Sequence, residues 1–374
     1  MLSFLIAPDS FKGTLTAPEV CDIVARAVLA AVPGSAVAKL PAADGGEGFS
    51  LALQAACGGE RKTVVVGGPH GERVEAGYTV LPGGAAAMDM ASCAGLVLAG
   101  AGNNPALAST FGVGEMLLDA VNHGAKSVIL GLGGSATNDC GIGMAAALGY
   151  RFLGAAGREL PPVGASMSDV RRIVRPAEPF GASVQAACDV DNPLYGPEGA
   201  AFVFAPQKGA DPATVRLLDE GLRNMAGIIK KDLGCDVAAV PGAGAAGGMG
   251  AGAVAFLGGT LRSGIDLLLD AAGFEKQLEK ADVVITGEGG MDAQSVRGKV
   301  CAGVARRAAA AGKRVYAVCG SLGEGAQAMT GLGVRGMFAA SEAGRPWEEI
   351  VRTCREDLYK AAFAAAREIA DKTE

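Results

Sequence analysis

Three lysines and eight carboxylates stand in or beside glycine-rich turns of this sequence, and few other side chains in it are placed to do chemistry. The lysines are Lys12, Lys208 and Lys299, and the acids are Asp9, Asp44, Glu47, Asp139, Asp189, Asp191, Glu288 and Asp292. Phosphoryl transfer asks for such a set. It needs a cation on the migrating group, acids to hold Mg2+, a base for the attacking hydroxyl and backbone N–H groups around phosphate oxygens. Rival chemistries lack their parts. The two histidines, His70 and His123, have no partner at metal-ligand or triad spacing, and no G-x-S-x-G elbow is present. Both histidines therefore read as structural, His70 in a hairpin turn and His123 at a helix end.

Each candidate loop also has a plainer use. Residues 131–139 place Gly133, Gly134, Ser135, Thr137 and Asn138 directly ahead of a helix, whose first N–H groups and dipole attract anions. The P-loop pattern is absent, and such a turn can simply join strand to helix. In 9–13, Lys12 would reach a substrate carboxylate or phosphate with Asp9 orienting it, or Ser10 would cap a helix in a solvated loop. Glu288 and Asp292 in 287–292 would serve Mg2+, a hydroxyl or the turn itself. Asp189 and Asp191 fall on one side of an extended chain. That suits a base, a metal or a polyhydroxy substrate, or else an Asx turn ahead of Pro193.

The elements that must carry these groups are legible from periodicity. Apolar runs at 2–7, 36–40, 127–130, 281–285 and 315–318 each empty into a polar loop. In a parallel open sheet such loops gather beyond the carboxyl ends of the strands, where ligands bind. A helix is predicted over 14–31, with Thr16 as cap, Pro18 in its first turn and Glu19 after it. A second follows over 48–56. Runs at 61–66, 73–81 and 85–90, separated by Gly/Pro turns, read as hairpin strands. Further helices are expected at 112–122 (capped by Thr110), 141–148, 212–232 and 346–371, and strands at 184–188 and 200–204. The fold class is α/β: a Rossmann- or flavodoxin-like parallel-sheet domain with a second, mixed α/β domain inserted in two pieces. The expected boundaries are 1–59, 97–180 and 265–374 for the nucleotide-binding domain, and 60–96 and 181–264 for the insert, with the ligand site in the cleft between them.

Composition narrows the class. The 374 residues are 50% hydrophobic but only 5% aromatic, so the core is aliphatic and alanine-rich. A formal net charge of −6 leaves no electrostatic footprint for nucleic acid or an anionic membrane. Nine cysteines without a CxxC suggest reduced thiols and a cytoplasmic setting. The uncharged stretch 237–261 is long enough to span a bilayer, but Pro241 and repeated glycines make it a poor lipid-facing helix. The chain enters its first strand with no signal-like segment ahead of it.

Taken in order, the motifs point further. They are Ala7-Pro8-Asp9-Ser10-Phe11-Lys12-Gly13, Ala43-Asp44-Gly45-Gly46-Glu47-Gly48, Gly133-Gly134-Ser135-Ala136-Thr137-Asn138-Asp139 and Ala187-Cys188-Asp189-Val190-Asp191-Asn192-Pro193-Leu194. Pro206-Gln207-Lys208-Gly209-Ala210, the glycine-rich run 241–248 and Thr286-Gly287-Glu288-Gly289 follow. In this combination the chain resembles the bacterial glycerate kinases of the first type from end to end. The resemblance implies ATP-dependent phosphorylation of D-glycerate with Mg2+, usually to 2-phosphoglycerate; a monomer or homodimer is expected. Set beside it, the residues suggest a division of labour. Asp189 is the base with Asp191 close behind, and Lys12 acts on the γ-phosphate or the substrate carboxylate. Asp9, Ser10, Lys299, Asp292 and Arg297 bind glycerate. Gly133, Gly134, Ser135, Thr137, Asn138 and Lys208 hold ATP, and Asp44 and Glu288 hold Mg2+. The sequence departs from the family in Gly290, where an arginine is common, in Arg297 for a usual histidine, and in Cys301 for a usual proline. Arg297 is the expected replacement cation. A kinase for another small hydroxy acid, and a non-catalytic nucleotide or sugar-acid sensor, are the alternatives.

Overall fold

The computed structural model describes residues 1–46, 48–296, 300–342 and 344–372. Among them the strands run, in chain order, β1 (Ser3–Ile6), β2 (Ala36–Lys39), β3 (Glu60–Gly67), β4 (Arg73–Val80) and β5 (Ala86–Asp89). There follow β6 (Ser127–Gly131), β7 (Arg151–Leu153), β8 (Arg172–Val174), β9 (Ser183–Ala187) and β10 (Thr260–Arg262). The last are β11 (Val283–Thr286), β12 (Gly290–Met291), β13 (Arg314–Cys319), β14 (Ser321–Leu322) and β15 (Val334–Ala339). They divide between two compact units.

The first unit comprises Met1–Asp44, Ala55–Cys57 and Ile265–Glu374. Its sheet has the order β15-β13-β11-β1-β2, every neighbouring pair parallel. A parallel sheet covered on both faces needs apolar residues at consecutive positions, and Val283, Val284 and Ile285 are all buried. One face, carrying Phe4, Ile6, Val283, Ile285, Tyr316 and Val318, packs with the helices Ala17–Ala31 and Trp347–Asp371. The first of these begins where the sequence places it. Thr16 accepts from the Glu19 N–H, and the Glu19 carboxylate accepts from the Thr16 N–H at 2.9 Å, a reciprocal capping box. The loop after β11 lies directly against β13: a Cβ on Gly287 would come 2.0 Å from the Val318 carbonyl oxygen, so glycine alone fits there.

The second unit comprises Gly45–Gln54 and Gly58–Gly264. Its sheet has the order β10-β9-β6-β5-β4-β3. β3, β4 and β5 form the expected antiparallel meander, whereas β5, β6, β9 and β10 run parallel. A separate core, including Tyr78, Met88, Leu130, Phe152 and Met249, belongs to this unit. The helix Pro212–Leu233 is capped by the Asp211 carboxylate, which accepts from Thr214 N–H at 2.7 Å, and it stops at left-handed Gly234.

Several expectations change. Residues 97–180 fall in the second unit, because β6 pairs with β5 on one side and β9 on the other. The loop 131–139 consequently leaves the second sheet, while the loops after β1, β2, β11 and β13 leave the first. Residues 200–204 form a helix, Ala200–Phe204, not a strand; Ala201 and Ala205 are buried while Phe202 and Val203 between them are exposed, the i, i+4 spacing of a helix inside an apolar run. The uncharged stretch folds as a buried helix, Ala245–Leu257, whose opening residues Ala246, Gly247 and Gly248 are left-handed. No helix among the described residues is long and apolar enough to cross a membrane.

Candidate active site

In the first unit a pocket of about 250 Å³ opens at the carboxyl ends of the strands. The loops that follow three neighbouring strands deliver its polar groups: Asp9, Ser10 and Lys12 after β1, Asp44 after β2, and Glu288 after β11. Asp9 is buried and accepts from the Ser10 N–H at 2.6 Å. Burial, and next the negative charge of Asp44, push its pKa from 3.8 up to about 6; the Ser10 bond and Lys12 oppose this with smaller effect. Lys12 extends into solvent, its side chain 80% exposed, with Nζ 3.8 Å from the Asp44 carboxylate. Glu288 is buried. Asp9, Asp44 and Glu288 thus share a pocket with one solvent-exposed ammonium, and Asp357, also in its lining, is paired with Arg345. No three His, Cys, Asp or Glu side chains among the described residues converge as a metal cage. Two of the pocket's carboxylates, Asp44 and Glu288, offer the hard oxygen donors that Mg2+ takes, one or two to an ion.

In the second unit the loop 131–139 folds against Lys208. Ser135, Thr137, Asn138 and Asp139 are buried. The Ser135 and Thr137 hydroxyls are 3.0 Å apart, and Lys208 Nζ donates to the Thr137 carbonyl at 2.7 Å and the Ser135 hydroxyl at 3.4 Å. Burial lowers the Lys208 pKa to about 7, with the Asp139 charge acting the other way. Asn103 locks the lysine's turn in place, its amide donating to the carbonyls of Lys208 and Ala136.

The helix behind this loop does not offer the open N–H groups that its sequence suggests. The Asp139 carboxylate accepts from Gly141 N–H, Gly143 N–H, Thr110 N–H and the Thr110 hydroxyl, at 2.8 to 3.2 Å. The Thr110 hydroxyl oxygen in turn accepts from Met144 N–H at 2.9 Å. Thr110 thus serves this clamp instead of capping its own helix, Phe111–Asn122. Three other donors remain: among the described residues, the N–H groups of Gly133, Gly134 and Ser135 have no intramolecular acceptor. Gly134 has a positive φ, and three successive open donors can receive an anion. Both ends of the Asn138 amide are buried with no hydrogen-bond partner among the described residues.

The remaining predicted groups among the described residues do not line the first unit's pocket, although Asp189 lies beside Gly45, where a Cβ would stand 3.0 Å from the Asp189 carboxylate. Asp189 and Asp191 are exposed after β9, and Asp189 accepts from Gly264 N–H at 3.0 Å. Asp292 makes an Asx turn, accepting from Gln294 N–H at 2.7 Å, and does not line the pocket, so the plainer reading of that acid fits its position. Lys299 and Arg297, like Glu47, lie outside the described residues. His70 faces the Asn103 amide oxygen at 3.0 Å, and His123 Nδ1 lies 2.8 Å from the Asp119 carbonyl oxygen. The sequence reading missed Thr110 and Asn103, which only folding brings to the 131–139 loop. It also passed over Trp347, a pocket-lining residue that a lone tryptophan at a helix start could have flagged.

The chain is similar to known proteins along its length. The model of the glycerate kinase family matches residues 4–370. A curated glycerate kinase of Halalkalibacterium halodurans is 45% identical over 345 residues, covering 91% of this chain and 90% of the relative. Glycerate 2-kinase of Escherichia coli K12 is 38% identical over 374 residues, covering 99% and 98%. A crystal structure from Salmonella typhimurium LT2, named for glycerate kinase 2, superposes with a TM-score of 0.88 at 37% identity, over 100% of this chain and 99% of that one.

Proposed function

The chain belongs to the glycerate kinase family, and on that premise we propose that it moves the γ-phosphoryl group of ATP to D-glycerate, giving 2-phosphoglycerate, with Mg2+. The observation that carries the reading beyond family membership is the charge in the first unit's pocket. Asp9 is driven toward its neutral form by burial beside Asp44, with Glu288 lining the same pocket. A divalent cation relieves that repulsion and is the partner such a pocket favours. Asp44 and Glu288 would hold it, and bound Mg2+ would neutralise charge on the phosphate oxygens.

Lys12 supplies the mobile cation for the migrating phosphoryl group, a task that suits an ammonium on a long, solvated stem. Asp9 and Ser10 orient glycerate. The open N–H groups of Gly133, Gly134 and Ser135, with Lys208 behind them, receive anionic oxygens of the reactants, and an arriving anion restores the charge that burial takes from Lys208. Asp189, exposed and carboxylate-bearing, accepts the proton of the attacking hydroxyl. Incubation with ATP, Mg2+ and D-glycerate, followed by ³¹P NMR, tests the reaction and identifies the esterified oxygen. A doublet-bearing phosphate on C2 is expected. Turnover of other hydroxy acids in place of glycerate, or none at all, would reject it. Asp189→Asn is expected to abolish turnover and keep nucleotide binding; an active variant would remove Asp189 as base.

A further inference from the structure

The first unit's pocket is lined by groups of unlike character. Asp9, Lys12, Asp44 and Glu288 supply charge; Trp347, Ile350 and Cys354, from the first turns of the helix Trp347–Asp371, supply an apolar wall. A three-carbon acid and a hydrated cation have no use for that wall. Trp347 is the sequence's single tryptophan, and 56% of it is exposed. The turn after Lys12 seats it, since a Cβ on Gly13 would lie 2.9 Å from the indole. Large aromatic surface left open beside a pocket is what a flat ligand covers. The hydroxyls of Ser321 and Ser341 also line the pocket and can serve the polar edge of such a ring.

We infer that this apolar wall of the pocket binds the base of the nucleoside triphosphate, stacked on Trp347. The inference rests on the reading that the phosphoryl donor is a nucleotide. The indole is its own reporter, because no second tryptophan contributes emission. ADP added to the full-length protein changes that emission saturably, and so does adenosine at higher concentration. Inorganic tripolyphosphate and D-glycerate leave it unchanged. Trp347→Ala raises the KM for ATP about tenfold more than the KM for glycerate, as the loss of one base–aromatic stack implies, and Trp347→Phe recovers most of it.

Equal responses to ADP and tripolyphosphate would overturn the inference, as would silence of the indole while equilibrium dialysis shows ADP bound. An emission change that follows protein concentration instead of nucleotide would mark a self-association surface and also overturn it. The two readings fail separately. If glycerate is not phosphorylated but ADP still alters the emission, the reaction is misassigned and the base site stands. If glycerate is phosphorylated and bound ADP leaves Trp347 silent, only the base site falls.

Discussion

Lys12 sits on a turn at 80% side-chain exposure, so its removal has little to cost the fold. Lys12→Ala is expected to lower kcat/KM for glycerate by about 10²-fold or more while the thermal midpoint stays within a degree or so, because the ammonium acts on charge that develops in the transition state. Unchanged kinetics would take Lys12 out of the mechanism. Asp9 makes a prediction about pH. Its folded pKa of about 6 lies above the unfolded value of 3.8. Across that window the native chain holds a proton that the unfolded chain has released, so the group favours folding at low pH and that contribution is lost as pH rises through about 6. The Tm difference between wild type and Asp9→Asn should therefore fall from pH 4 to 6 and then level off. A flat difference would show that Asp9 titrates normally. The sequence exposed both residues, since a lysine and an acid flanking a serine at a strand end are rare in a mere corner. It could not expose the shift, which comes from burial and from Asp44.

At the scale of elements, the clamp on the 131–139 loop is the most exposed to a single change. One buried carboxylate serves three backbone N–H groups and a hydroxyl. Asparagine keeps the shape but loses one acceptor oxygen, leaving at least one buried donor unmet at a cost of about 1–3 kcal/mol. Asp139→Asn should lower the denaturation midpoint accordingly and weaken binding of anionic reactants; a midpoint equal to wild type would mean the clamp is dispensable. Local signals predicted a helix at 141–148, found over Ile142–Ala147, but misjudged which groups meet its first N–H donors. The groups that claim its N–H donors include Thr110, whose approach depends on how the Phe111–Asn122 helix packs. The Ala17–Ala31 helix was readable because its cap is made by residues three apart.

For the molecule as a whole, nine thiols are free and unevenly reachable. Cys21, Cys93, Cys140, Cys301 and Cys319 are buried, and Cys57, Cys188, Cys235 and Cys354 are partly so. Burial raises the pKa of each buried thiol, Cys21, Cys93 and Cys319 to about 12, which suppresses the reactive thiolate. Thiol titration of the native protein should find no more than four groups reacting promptly, with the other five appearing only on unfolding. Prompt reaction of all nine would contradict the two closed cores.

Residue order alone settled the reaction class and six of the thirteen α-helices among the described residues, because motif spacing is written in the chain and capping acts within one turn. It also settled that strands end in polar, glycine-rich loops. Tertiary structure decided which loops belong together. A parallel strand reads the same whichever sheet it joins, so nothing local assigned β6 to the second sheet or set Trp347 beside Lys12; strand pairing and helix docking between distant segments did.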